Sequence, residues 1–156
     1  MKMSRTLFTP MALSFLVAVA GQALWCADAA AQTLVPIKGV VTGTPENVSF
    51  NGQAKVTSRL APDPDFNKPM LVLTIDLAGV PGVGSSSKAK YVVSGPEIVH
   101  LPLAVWHPVK ITFPFTRTSG TATEGTGLAS FAFNFDLATG AITSASASVE
   151  TPSFPQ

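Results

Sequence analysis

Val109-Lys110-Ile111-Thr112-Phe113-Pro114-Phe115-Thr116 is the stretch that decides the fold. In an extended chain successive side chains point to opposite sides, so Val109, Ile111, Phe113 and Phe115 share one face and Lys110, Thr112 and Thr116 the other. A period of two with one apolar face is a half-buried strand. Phe131, Phe133 and Phe135 alternate with Ala132, Asn134 and Asp136 in the same way, as do Leu71, Leu73, Ile75 and Leu77 with Val72, Thr74 and Asp76.

Working outward, Ala141, Thr143, Ala145, Ala147 and Val149 form a quieter alternating set. Small residues on an inner face call for a bulky partner, and the three phenylalanines just upstream supply one. Asp136 to Gly140 is then a short hairpin loop with glycine in the left-handed position. Asn51-Gly52 is the dipeptide most typical of a two-residue hairpin turn, but such a turn sets Phe50 beside Gln53 and Val48 beside Lys55. A continuous strand instead puts Val48, Phe50, Ala54, Val56 and Leu60 on one side, with Gly52 at a bulge or bend. Shorter strands are expected over Leu34 to Val41, Lys90 to Ser94 and Glu97 to Leu103. Ala61 to Pro69, Gly79 to Lys88 and Thr118 to Gly127 have loop composition.

No segment beyond the N-terminal stretch sustains a 3.6-residue apolar period. The expectation is therefore an all-β domain of about seven to eight strands, an antiparallel β-sandwich of Ig-like or Greek-key type, with a small antiparallel β-barrel as the alternative. An outer-membrane barrel would share the alternation. It would also need aromatic girdles, whereas Tyr91 and Trp106 are the only tyrosine and tryptophan after residue 31.

The N-terminal stretch has Lys2 and Arg5, an apolar run from Leu7 to Ala20 and small residues at Ala29, Ala30 and Ala31. That order is the one of a cleavable secretory signal peptide over residues 1–31. The run is shorter than the roughly 18 to 20 residues a membrane-spanning helix needs. Cleavage is expected to leave Gln32 first, to remove Cys26 and to release a single domain over residues 32–156, periplasmic or secreted and without a membrane anchor. Leu24 and Trp25 before Cys26 do not suit a lipoprotein signal. The domain would hold no cysteine, so its stability must come from its core.

Charge excludes some functions. The leader takes Lys2, Arg5 and Asp28 with it, and the remaining basic and acidic side chains balance. Without a basic stripe, neither nucleic acid nor an anionic membrane is an expected partner.

Asp63, Asp65 and Asn67 alternate in a proline-stiffened loop, a spacing that lets a hard cation such as Ca²⁺ collect side-chain oxygens. Lys68 stands where an EF-hand loop needs glycine and no closing glutamate follows, so the competing reading is a solvated turn. No other cofactor is expected. Gly79, Gly82 and Gly84 before Ser85 to Lys88 are similar to a phosphate-cradling loop, but Ser85 occupies the lysine position and no helix follows. His100 and His107 are the only histidines; Glu97 is the near carboxylate, and on a strand it faces away from His100. Ser85 and Lys88 lack the helix that would make them a Ser-x-x-Lys pair, and Asp76, Glu97, Glu124 and Asp136 offer unframed carboxylates, so no catalytic residue is assigned. Trp106 with Tyr91 could form an aromatic platform, although burial is the expected state of both. Asn47-Val48-Ser49 is an N-glycosylation acceptor.

These residues point to an exported, non-catalytic binding or structural module. Its partner would be an extracytoplasmic protein, a glycan or a small molecule, with the oligomeric state open. A small exported hydrolase and a strand-addition or assembly component are the alternatives.

Overall fold

A computed structural model describes residues 32–43, 45–66, 68–120 and 124–153. The signal-peptide stretch 1–31, with Cys26, and Asn67 lie outside the described residues. What is described is all-β, with no helix.

The nine strands are β1 (Gln32–Val41), β2 (Val48–Pro62), β3 (Pro69–Asp76), β4 (Gly82–Gly84), β5 (Lys90–Val93), β6 (Pro96–Pro102), β7 (Trp106–Arg117), β8 (Glu124–Phe135) and β9 (Ile142–Glu150). They form one mixed sheet in the order β1-β9-β8-β7-β5-β4-β2-β3-β6, and β1 also pairs with β2. The expected all-antiparallel arrangement needs one correction, because β1 runs parallel to β9 over Ile37 to Gly39 and Ala147 to Val149. Gly39 permits that approach: a Cβ there would collide with the carbonyl oxygen of Val149.

The alternating faces lie as their periods require except at Val72, expected outward with Thr74 and Asp76 but buried. Val109, Ile111, Phe113 and Phe115 are buried, as are Phe131, Phe133 and Phe135 and the trio Leu71, Leu73 and Ile75. All belong to one core cluster. Phe50 of β2 meets Phe113 of β7 edge-on at 5.5 Å between centroids and Phe115 at 5.2 Å. The outward side chains of β7 to β9 include Lys110, Ser130, Ser146, Ser148 and Glu150.

β2 is continuous through Asn51-Gly52, as its faces demand. Its ladder with β1 runs without a shift across Gly52, so that glycine is not a bulge. The connection from β3 to β4 crosses above it, and a Cβ on Gly52 would stand 3.0 Å from Val80 Cα and 3.1 Å from Pro81 Cδ. Close passage of a second backbone is what leaves little room for a side chain there.

The β8–β9 hairpin forms as expected, with Ala145 opposite Phe133, Ala147 opposite Phe131 and Gly140 at φ 71°. Its register shifts at Phe135, which pairs with Ile142, so Thr143 leaves the inner face on which strict alternation placed it. Two stretches of loop composition contain strand. Gly82–Gly84 is β4, and Glu124 to Gly127 opens β8, where Gly125 and Gly127 lie opposite Phe115 and Phe113. A Cβ on Gly127 would collide with the Phe113 ring, and one on Gly125 with the Phe115 ring. These glycines make room for aromatic rings lying across the strand.

Candidate functional site

Three places bring the chemistry-bearing side chains together. The first is the serine-rich loop after β4. Ser86 N–H and Ser87 N–H each donate to Glu46 Oε2 at 2.9 Å, while Ser87 Oγ and Tyr91 OH donate to Oε1. The loop that is similar to a phosphate cradle thus does wrap an anion, and the anion is the chain's own carboxylate, some 40 residues upstream. Lys88 adopts φ 57° and turns its Nζ onto Ser85 O at 2.8 Å, which completes the loop. The Ser87 hydroxyl above all, with the two N–H groups, lowers the Glu46 pKa from 4.5 to about 2. Burial raises that of Tyr91, whose ring is 1% exposed. Glu46 also lines a cleft of about 130 Å³ together with Glu124. Glu46 holds its proton too weakly to act as an acid near neutrality, and its lone pairs are already occupied.

The second place is an open groove of about 680 Å³ between the β2–β3 connection and β6. Asp63 Oδ1 accepts from Asp65 N–H at 2.9 Å and Phe66 N–H at 3.2 Å, and Asp63 N–H donates to Lys68 O at 2.7 Å. The connection is therefore a self-capped turn. It holds Phe66 outward, 72% exposed, and Phe66 lines the groove with Met70, Leu101 and Leu103. Asp63, Lys68 and His100 line the same groove. No hydrogen bond joins His100 to Asp63 among the described residues, and neither serine, threonine nor cysteine lines the groove. Of the calcium trio, Asp63 has one oxygen committed to the turn. Among the described residues no three of histidine, cysteine, aspartate and glutamate gather as metal ligands do.

The two histidines do different work. His100 lies opposite Val72 and Glu97 opposite Ile75, so they occupy opposite faces of β6 as the odd spacing requires. His107 Nε2 donates to Pro102 O at 2.7 Å and its ring meets Phe135 edge-on, a strut between the end of β6 and the start of β7. Asp76 and Asp136 each cap a turn, accepting from Ala78 N–H at 2.9 Å and Ala138 N–H at 2.8 Å.

The third place corrects an expectation. Tyr91 is buried, but Trp106 is 55% exposed on the outer side of β7, so the two form no common platform. Trp106 falls in register with Lys110, Thr112 and Pro114 and points away from the core, while Val109, Ile111, Phe113 and Phe115 fill it. Sequence reasoning passed over Glu46 altogether. The serine triplet and glycines read in sequence as a failed phosphate cradle, and nothing local to that loop names an acceptor so far away along the chain. Comparison of the chain with protein-family models, with curated proteins and with solved structures finds no match to any of them.

Proposed function

We propose that the chain is an exported, non-catalytic binding module whose ligand enters the groove that Phe66 lines. The observation that carries this reading is the groove itself: an aromatic side chain held out by a capped turn and the apolar Met70, Leu101 and Leu103 line it together with Lys68 and His100. Pockets of this size and lining suit a small molecule or an apolar side chain of a partner. Export follows from the residue order of 1–31. For the architecture we favour a β-sandwich whose layers, β1-β2-β3-β6 and β9-β8-β7-β5-β4, are joined through β1–β9 and through the first residues of β2, which pair with β4. The Phe50 contacts with Phe113 and Phe115 across the core support two facing layers, and the strand pairings between the layers bring the body close to the small-barrel alternative.

Anilinonaphthalene sulfonate, a fluorescent apolar anion, tests the groove. The expected result is saturable enhancement with the native chain that Phe66→Asp abolishes without lowering the melting midpoint. Absence of enhancement would overturn the groove reading. The hydrolase reading draws support from His100 and Asp63 lining one groove. Turnover of p-nitrophenyl acetate that disappears in His100→Gln would place the protein there instead.

A further inference from the structure

The outer face of β7, β8 and β9 ends in two cross-strand rows: Trp106 beside Asn134 beside Ser144, and Pro108 beside Ala132 beside Ser146. Residues directly opposite on paired strands share a face, so these six side chains form one patch. With strands about 4.8 Å apart and alternate residues about 6.8 Å apart, it measures roughly 10 by 7 Å. The phenylalanines of β7 and β8 are at most 5% exposed, whereas Trp106 leaves more than half its surface in water. Nothing described covers it. Ala132 keeps the middle of the patch low beside the indole, and Ser144 and Ser146 are exposed beyond it.

We propose that this patch binds a neutral polysaccharide, with Trp106 stacking on a sugar ring and Asn134, Ser144 and Ser146 exchanging hydrogen bonds with its hydroxyls. The inference rests on the binding-module reading and names the ligand class and a second surface for it. Asn134 Nδ2 donates to Ser144 Oγ at 2.8 Å, which orients the amide and leaves Asn134 Oδ1 to accept and the Ser144 hydroxyl to donate outward. No side chain of the two rows is charged. An ionic partner would find no counter-charge there, and a nucleic acid, which also stacks on tryptophan, needs cations along its backbone. A lipid surface would meet amide and hydroxyl groups it cannot satisfy. A sugar ring offers what remains: an apolar face of C–H groups for the indole and hydroxyls that both donate and accept.

The chain has two tryptophans, and Trp25→Phe makes Trp106 its single emitter. That chain is run in native gels cast with hydroxyethyl cellulose, glycol chitin, dextran or soluble starch, and its emission is titrated with each polymer. The expected result is retardation by at least one polymer with a blue-shifted emission. Trp106→Ala, followed in the gels, and Ser146→Arg, which keeps the emitter, should each weaken binding about tenfold or more at an unchanged melting midpoint. Retardation by none of the four polymers overturns the proposal. So does retardation that both variants leave intact; if Phe66→Asp then abolishes it, the glycan sits in the groove, and the binding-module reading survives without this patch.

Discussion

Glu46 is fixed by two backbone N–H groups and two hydroxyls, all of them donors, and a carboxylate is the one side chain that accepts from all four without a proton of its own. A carboxyl whose pKa falls on folding stabilises the folded state fully above its ordinary value and loses that contribution as pH falls through the folded one. For Glu46 the window runs from 4.5 down to about 2. Glu46→Gln, which sets an amide N–H against N–H donors, should therefore be less stable than the native chain at neutral pH. The gap should narrow only below pH 4.5, as read from urea melts along a pH series. A gap that closes well above pH 4.5 would mean that the loop does not hold the carboxylate as described. Ser87→Ala removes the largest single cause of the shift and should move the Glu46 titration upward in carboxyl-carbon NMR. Asp63 poses a different question at the same scale, because its turn needs an acceptor oxygen whereas calcium needs charge. Asp63→Asn should keep the two turn hydrogen bonds and the melting midpoint, and Asp63→Ala should cost about 1 kcal/mol, both independently of Ca²⁺. A stabilisation by Ca²⁺ of the native chain that both variants lose would support the metal reading of Asp63, Asp65 and Asn67.

At the scale of elements, the β7–β8 pair combines what the sequence discloses with what it conceals. The inner set from Val109 to Phe115 was legible because alternation is a local property of the chain. The first residues of β8 were not, because Glu124-Gly125-Thr126-Gly127 has the composition of a loop and acquires a reason only when Phe115 and Phe113 are laid across it. β4 escaped for a related cause: Gly-Val-Gly is too short to show a period. The continuity of β2, by contrast, followed from comparing the faces that each alternative would bury. Gly127→Ala tests the aromatic cover directly. The added methyl must displace the Phe113 ring from a packed core, which should cost about 1–3 kcal/mol in denaturant unfolding. In the Phe113→Leu background the same substitution should cost less, since the smaller side chain yields the space, and this non-additivity is the signature of contact. Additive costs would mean that the ring and the glycine do not meet.

For the whole molecule the decisive strand is β1, which ladders with β2 along its length and touches β9 through three parallel residues. The pairing with β9 was not legible from sequence, because contact between the first and last strands depends on how every intervening strand has folded. The Trp106 surface was hidden for the same reason: an aromatic residue on a strand points inward or outward according to register, and composition favours inward. With β1 paired to both β9 and β2 and a single core beneath it, thermal unfolding should be one cooperative transition. Gly39→Val would force a side chain into the Val149 backbone, where no rotamer change can relieve it. It should separate β1 from β9, with loss of amide hydrogen-exchange protection across 147–149, while the longer β1–β2 ladder stays protected. The melting midpoint should fall with it. Unchanged protection at those amides in Gly39→Val would show that β9 is held by β8 alone and that the body is not closed through β1. Two separate transitions in the native chain would instead divide the core that β1 is taken to unite.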